Sequence, residues 1–136
     1  MKFTLGKQER LKSKKLLGKL YEEGKSIKVF PLRMVYIQTE HSSKFPVQVG
    51  VSVAKRNFKS AVDRNRLKRL LRETYRKEKY TVYDAVQKPH IFMISYIAKD
   101  HWSYADLALK MKKLLTLFVA EINKEENGKM NDTSKK

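Results

Sequence analysis

Cysteine is absent from this chain of 136 residues. Disulfide bonds and thiolate metal sites are therefore excluded, which suits a reducing compartment. The first residues contain no apolar segment of the kind found in secretion signals. No run of about 18 apolar residues, long enough to cross a membrane, occurs anywhere in the sequence. We therefore expect a cytoplasmic protein that is neither secreted nor bound to a membrane.

Acidic side chains are scarce, with 14 Asp and Glu against 31 Lys and Arg, which leaves a formal net charge of +17. In a small domain a charge of this size repels itself, and a polyanionic partner relieves that repulsion. The composition therefore predicts binding to nucleic acid.

Histidine is also rare, and His41, His90 and His101 have none of the spacings of a zinc or phosphodiesterase site. Asp63 and Glu73 fall on different sides of the same predicted helix, so they do not form a carboxylate pair. We expect no catalytic residue and no metal ligand in this chain.

The length suits one domain, and the hydrophobic content of 41% is enough for one core. We predict a single domain over residues 1–122. The remaining residues, 123–136, are polar enough to form a disordered tail.

Periodicity predicts a short first helix that Ser13 caps and Gly24 ends. Residues 27–39 are rich in β-branched and aromatic side chains, and Pro31 favours an edge position or a bulge within this first strand. Residues 47–53 alternate valine with other residues, the pattern of a second strand with one buried face.

A central helix begins at Ser60, with Asp63 placed three residues later as in a capping box. The apolar run 91–97 predicts a third strand, and the last helix begins near Ser103. The predicted order is αββαβα, an α/β fold.

The central helix has an apolar side and a basic side. Leu67, Leu70 and Leu71 fall on the side that should face the core. The opposite side carries a stripe about 16 Å long, Asn65, Arg69, Arg72 and Arg76, flanked by Arg64, Arg66 and Lys68. We refer to these seven residues as the basic face.

The alternative is an ordinary solvated helix, but such helices mix charges of both signs. Residues 55–79 instead contain eleven basic and three acidic residues, a net charge of +8. A surface for RNA or DNA is the favoured interpretation. Arginine rather than lysine dominates, which favours bidentate contacts to phosphate and stacking on bases.

These residues also resemble a known family. The segment AVDRNRLKRLLRE at 61–73, preceded by GVSVAKR at 50–56, is similar to the signature of the protein subunit of bacterial ribonuclease P. The resemblance extends to RLKSKKLLGKLYEEGK at 10–25 and SYADLALKMKKLL at 103–115, so it covers nearly the whole chain. The residues in register are Lys55, Ala61, Val62, Arg64, Asn65, Arg66, Lys68, Arg69, Arg72 and Glu73.

The resemblance implies a two-layer α+β sandwich with a left-handed βαβ crossover through the central helix. It also implies a subunit that promotes endonucleolytic 5′ maturation of tRNA by binding a catalytic RNA and the 5′ leader of precursor tRNA. The RNA subunit would cleave the phosphodiester with Mg²⁺ that it binds itself. The implied partners are this RNA and precursor tRNA, with no obligate protein partner.

The implied contacts divide into two sets. Those to the catalytic RNA would come from Lys55, Arg56, Lys59, Arg64, Asn65, Arg66, Lys68, Arg69, Arg72 and Arg76. The leader would lie in a cleft between the first helix and the sheet, near Arg10, Tyr21 and Tyr36. A tyrosine there could stack on an unpaired base, although core or rim packing is the alternative for both tyrosines.

Three positions depart from the family pattern. The loop 56–60 has one extra residue, with Phe58 near the usual glycine. Leu17 replaces a phenylalanine of the first helix, and Tyr96 replaces a basic residue late in the third strand. The contacts to the leader are therefore expected to differ.

Two other functions fit the composition. A small ribosomal-type RNA-binding protein or RNA chaperone would also carry a charge of +17. DNA binding is weaker, because no helix precedes the central one at helix-turn-helix spacing and Asn65 is the one good base reader of the stripe.

Overall fold

A computed structural model describes the backbone of residues 5–41 and 43–135, and the side chains of these residues as far as 125. A short 3₁₀ helix, Lys7–Glu9, comes first. The helices are α1 (Lys14–Glu23), α2 (Ala61–Tyr83) and α3 (Tyr104–Lys135), and the strands are β1 (Lys25–Val29), β2 (Leu32–Gln38), β3 (Val47–Val53) and β4 (His90–Tyr96).

The strands form one mixed sheet in the order β1-β2-β4-β3. β2 is antiparallel to both β1 and β4, whereas β3 runs parallel to β4. Parallel neighbours need a crossover connection, and α2 supplies it. The predicted α/β class is confirmed, and the handedness of this crossover stays a prediction from the resemblance.

The first predicted strand, 27–39, is in fact two strands. Val29 pairs with Leu32, so Phe30 and Pro31 form a tight turn, with a cis peptide bond between them. Proline has no amide hydrogen to donate to a strand ladder, and here it ends the first strand instead of forming a bulge. The sheet therefore has four strands where the sequence predicted three.

Helices cover both faces of the sheet. The larger core lies between the sheet and the pair α2 and α3, and a smaller one lies beneath α1 on the other face. In β4, Phe92 and Ile94 belong to the larger core, whereas Ile91 and Met93 pack with Leu20 of α1. The helix α1 thus adds a small partial layer to the predicted α/β sandwich.

Serine side chains begin all three α-helices as predicted. Ser13, Ser60 and Ser103 each accept a hydrogen bond from the backbone N–H of the third residue after them. Gly24 ends α1, and a Cβ atom there would lie 2.3 Å from the carbonyl oxygen of Leu20. The same Cβ atom would lie 2.7 Å from Cγ1 of Val35 and 3.1 Å from the carbonyl oxygen of Tyr36, so the close approach of the helix end to β2 requires glycine at this position.

The helix α3 continues past the predicted domain boundary at residue 122. The carboxylate of Glu125 accepts hydrogen bonds from Lys25 at 2.7 Å and from the Tyr36 hydroxyl at 3.1 Å. The first residues of the predicted tail 123–136 are thus helical and contact the sheet, whereas the side chains after residue 125 lie outside the described part. No helix among the described residues is long and apolar enough to cross a membrane.

Candidate nucleic-acid interface

The orientation predicted for α2 is confirmed by burial. Leu67, Leu71 and Thr74 are almost fully buried against the sheet and α3. Tyr75 is buried as well, at 0% exposure. Because one side of the helix is fixed by this packing, the opposite side must face solvent.

The basic face lies on that solvent side. Its exposed members are Asn65, Arg66, Arg69 and Arg72, while Arg64, Lys68 and Arg76 are half-buried. The loop before the helix adds the exposed residues Lys55, Arg56 and Lys59. All ten residues predicted to contact the catalytic RNA therefore have accessible side chains.

Arg64 shapes the loop that precedes its own helix. Its guanidinium donates to the backbone carbonyls of Phe58 and Lys59 at 2.7 and 2.8 Å. A guanidinium has five N–H donors in a rigid plane, so these bonds leave others for an external acceptor. Arg64 can thus position the loop and bind phosphate at the same time.

Phe58 determines the path of the longer loop. The side chain is buried, and its ring lies edge-on to Tyr96 at 5.9 Å and to His101 at 5.1 Å between centroids. The loop first turns at Ala54, whose carbonyl accepts from the amides of Asn57 and Phe58. The aromatic residue that departs from the family pattern therefore anchors the loop to the end of the sheet.

Tyr96 has a structural role in place of the family's basic residue. It is 1% exposed, and its hydroxyl donates to the carbonyl of Asp100 at 2.6 Å and accepts from the amide of Trp102 at 3.1 Å. Tyr96 therefore fixes the connection from β4 to α3 and offers no side chain to RNA.

Arg76 already has an anionic partner within its own helix. The Glu73 carboxylate lies 2.5 Å from its guanidinium, three residues earlier. The hydrogen bond from Arg76 lowers the pKa of Glu73, which keeps the carboxylate charged. Arg76 is thus partly neutralised before any RNA binds.

Arg10 lies beside the edge strand β3. The amide of Leu11 donates to the carbonyl of Val49 at 2.8 Å, and the side chain of Gln48 donates to the carbonyl of Gln8 at 3.1 Å. These bonds attach the N-terminal segment to the exposed edge of the sheet and leave the Arg10 side chain exposed.

A hollow of about 200 Å³ joins the two predicted surfaces. Arg10 and Lys12 line one side, Arg72 of the basic face lines another, and Gly50 and Met93 of the sheet also contribute. Three cations around one concave space create a site that favours a phosphate. Arg10, which is predicted to contact the leader, and Arg72, which is predicted to contact the catalytic RNA, therefore line the same hollow.

Tyr21 is available for stacking, since 60% of it is exposed on α1. Leu17, which replaces the family's phenylalanine, is half-buried and packs on the small core beneath α1. Of the two positions on this helix, only the tyrosine presents an exposed ring.

Tyr36 corrects the predicted leader site. It is 3% exposed and lies edge-on to Phe118 of α3, with 5.1 Å between the ring centroids. Burial raises the pKa of its hydroxyl, which donates to Glu125. The alternation of β2 turns Tyr36 towards α3 with Leu32 and Met34, away from α1. The packing alternative is therefore right, and Tyr36 cannot stack on a base in this structure.

A cluster of buried charged side chains was not predicted from the sequence. The Glu9 carboxylate, 4% exposed, accepts from the Lys79 ammonium at 2.6 Å, the Tyr83 hydroxyl at 2.7 Å and the Gly6 amide at 2.8 Å. Burial raises the pKa of Glu9, but these hydrogen bonds outweigh it and the pKa is lowered. Lys79 follows Tyr75 by four residues, and this helical spacing could have shown that it points inwards.

The histidines are not gathered into a site. His90 is buried at the start of β4 and His101 lies against Phe58, while His41 is near Pro46. Among the described residues, no group of three or more His, Asp or Glu side chains could hold a metal ion.

Comparison with known proteins gives one consistent family. A family model described as Ribonuclease P matches residues 5–119. The ribonuclease P protein component of Porphyromonas gingivalis (strain ATCC 33277) is 43% identical over 91 residues, which span 66% of this chain and 66% of that protein. The counterpart from Syntrophus aciditrophicus is 33% identical over 127 residues, covering 91% of this chain and 98% of that protein. The solved RNase P protein from Thermotoga maritima has a similar fold, with a TM-score of 0.64 at 21% identity over 79% of this chain and 94% of that one.

Proposed function

Because the chain belongs to the bacterial ribonuclease P protein component family, we propose that it is the protein subunit of an endoribonuclease that matures the 5′ end of tRNA. In this role it binds a catalytic RNA through α2 and the preceding loop. It also binds the 5′ leader of precursor tRNA near Arg10 and Tyr21.

The observation that carries the proposal is the exposed basic surface of α2 and its loop. Packing of Leu67 and Leu71 fixes the helix, so Arg66, Arg69 and Arg72 face solvent together. Guanidinium groups bind phosphate oxygens in pairs, and release of counterions from RNA favours the complex. A surface of this kind suits a folded RNA with closely spaced phosphates.

The protein contributes charge and position rather than bond chemistry. We propose that Mg²⁺ is bound mainly by the RNA subunit, where it would supply an activated water and charge stabilisation for the leaving oxygen. The basic face neutralises phosphates that crowd together where RNA and substrate meet. Less repulsion lowers the free energy needed to bring the scissile bond to the RNA.

The leader of precursor tRNA supplies unpaired bases and backbone phosphates for a second set of contacts. Tyr21 offers an exposed ring for stacking, and the hollow between Arg10, Lys12 and Arg72 can take a backbone phosphate. Because Arg72 belongs to both surfaces, the leader and the catalytic RNA would approach each other at this hollow.

A triple variant tests the proposal. Replacing Arg66, Arg69 and Arg72 with alanine should weaken binding to ribonuclease P RNA and flatten its salt dependence by about one unit of slope per lost phosphate contact. The matched control replaces the exposed lysines Lys112, Lys113 and Lys124 of α3, which removes the same charge elsewhere.

Binding is measured against salt concentration, together with cleavage of precursor tRNA at low Mg²⁺. Equal affinities for the two triple variants would contradict the assignment of the basic face. RNA recovered with the protein from cells gives a second check. If it is ribosomal RNA or a broad mixture, a ribosomal-type protein or an RNA chaperone becomes the better interpretation.

A further inference from the structure

Two aromatic rings form a partly exposed pair that the proposed contacts do not use. Phe30, in the turn between β1 and β2, is 51% exposed. Trp102, in the connection from β4 to α3, is half-buried, and its ring lies edge-on to Phe30 with 6.0 Å between centroids. Exposing a large apolar ring to water is unfavourable, so a pair of this kind is a candidate binding site.

The pair lies at the end of the sheet that carries the basic loop. Leu32 pairs with Tyr96, and Tyr96 pairs with Val53. The turn at Phe30 and the last residue of β3 therefore lie at the same end of the sheet. The amide of Ile97 donates to the carbonyl of Pro31 at 2.9 Å, which ties the turn to the connection after β4.

Aromatic contacts continue from this pair to the loop. Trp102 is fixed by its bond to the Tyr96 hydroxyl, and Tyr96 contacts Phe58 of the loop. His101, the residue before Trp102, lies against the same Phe58. Phe30 and Trp102 are therefore an extension of the surface proposed to bind the catalytic RNA.

The surroundings of the pair are mainly cationic. Lys28 and Arg33 face each other across β1 and β2, just before and after the turn, and both are exposed. Lys99 is exposed in the connection after β4, beside Asp100, the one acidic residue of the segment 97–103. Rings that stack on bases, next to cations that bind phosphates, are the usual elements of a site for unpaired nucleotides.

We propose that Phe30 and Trp102 form a stacking site for an unpaired base of the catalytic RNA, an inference that rests on the proposed function. The leader is the less suitable occupant because its residue Tyr21 lies near the beginning of β1. Phe30 follows the end of that five-residue strand, about 16 Å farther along.

Trp102 is the only tryptophan of the chain, so its fluorescence reports directly on the site. The experiment titrates the full chain with the ribonuclease P RNA alone. Stacking of a base should quench the emission at saturation. Phe30→Ala should weaken RNA binding by about 5- to 100-fold and reduce the quenching, since one stacked base contributes about 1–3 kcal/mol.

Two variants separate stacking from general apolar contact. Phe30→Leu keeps an apolar side chain without a ring and should lose affinity as Phe30→Ala does, whereas Phe30→Tyr should bind like the wild type. Thermal melts of all three show whether the turn still folds. As a control for charge, the Arg66, Arg69 and Arg72 triple variant should bind weakly but show normal quenching once saturated.

Each outcome decides the proposal. Quenching by the RNA alone, with the predicted order of variants, supports it. Unquenched emission at saturating RNA, or wild-type affinity in Phe30→Ala, overturns it while leaving the proposed function intact. Quenching that begins only when precursor tRNA is added would assign the site to the leader instead. A wild-type protein that does not bind this RNA would overturn both.

Discussion

Lys79 and Arg69 lie ten residues apart on the same helix, yet one is inside the protein and the other outside. Lys79 is 2% exposed and bound to Glu9, whereas Arg69 faces solvent. The buried cation joins the N-terminal segment to α2 and is neutralised by its carboxylate partner. The exposed cation remains accessible to an anionic ligand.

The difference teaches that net charge does not measure a binding surface. Of the basic residues in 55–79, Lys79 is neutralised by Glu9 and Arg76 is partly neutralised by Glu73. The two tyrosines predicted to contact the leader also differ in exposure, since Tyr21 is exposed and Tyr36 is buried. Residue type suggests a role, and the packing of each element decides which residues can perform it.

The largest effect should come from breaking the buried pair. Lys79→Met leaves the Glu9 carboxylate buried with no cation beside it, and we expect a loss of about 3–5 kcal/mol in the free energy of unfolding. Arg69→Met, on the solvent side of the same helix, should change stability by less than about 0.5 kcal/mol. Urea melts of both variants measure the difference.

A double variant sharpens this result. Adding Glu9→Gln to Lys79→Met removes the orphaned charge, so the double variant should be more stable than the sum of the two single losses predicts. A Lys79→Met protein as stable as Arg69→Met would show that the buried pair does not hold the N-terminal segment.

Two consecutive residues of α2 test the same division with an apolar side chain. Leu71→Ala should cost about 2–5 kcal/mol of stability, because the side chain is fully buried in the main core. Arg72→Ala should be nearly neutral in stability while weakening RNA binding. If denaturant melts gave the reverse order, the helix would face the other way.

Local patterns predicted most of the fold. Serine caps, the bounds of β3 and the spacing of leucines in α2 were confirmed, since each depends on residues close in sequence. Burial along β3 does not alternate as predicted, because Gln48 is buried with its valine neighbours and Val51 is half-buried. The turn at Phe30 and Pro31 was missed because the strands on both sides have the same composition. The placement of α1 on the opposite face depends on contacts between distant segments, which periodicity does not report.

In the candidate site, too, some features follow from local patterns and others depend on contacts between distant segments. The exposed side of α2 followed from its helical period, but the hollow shared by Arg10 and Arg72 depends on how the N-terminal segment packs along β3. Tyr36 could have been assigned to the core by its parity with Leu32 and Met34. The Glu9 and Lys79 pair joins residues 70 positions apart, and no local pattern connects them.

A smaller effect is expected at the exposed tyrosine. Tyr21→Ala should weaken binding of precursor tRNA to the assembled complex by about 5- to 100-fold, which corresponds to one stacked base at about 1–3 kcal/mol. Binding of mature tRNA, which lacks the leader, should not change. Tyr104→Ala, at another partly exposed tyrosine on α3, is the matched control.

Direct binding of both tRNA forms decides the role of Tyr21. An equal loss for precursor and mature tRNA would mean that the substitution disturbs the complex generally. No loss for either would remove Tyr21 from the leader site.

The smallest effect concerns Arg76, the residue of the basic face that is already paired. Phosphate must compete with the Glu73 carboxylate for its guanidinium, so the net gain on binding RNA is reduced. Arg76→Ala should therefore weaken binding to ribonuclease P RNA less than Arg69→Ala, and should flatten the salt dependence by less than one unit of slope.

Removing the competitor tests the reason for that difference. Glu73→Gln takes away the carboxylate charge, so affinity for the RNA should rise a few-fold and the salt dependence should steepen. The gain should become smaller when Arg76→Ala is combined with Glu73→Gln, because Arg76 forms the hydrogen-bonded pair with Glu73, whereas Arg69 and Lys77 interact with that carboxylate only through charge. If Arg76→Ala alone lost as much affinity as Arg69→Ala, RNA would displace Glu73 completely. The two arginines would then belong to one equivalent set, despite their different environments in the free protein.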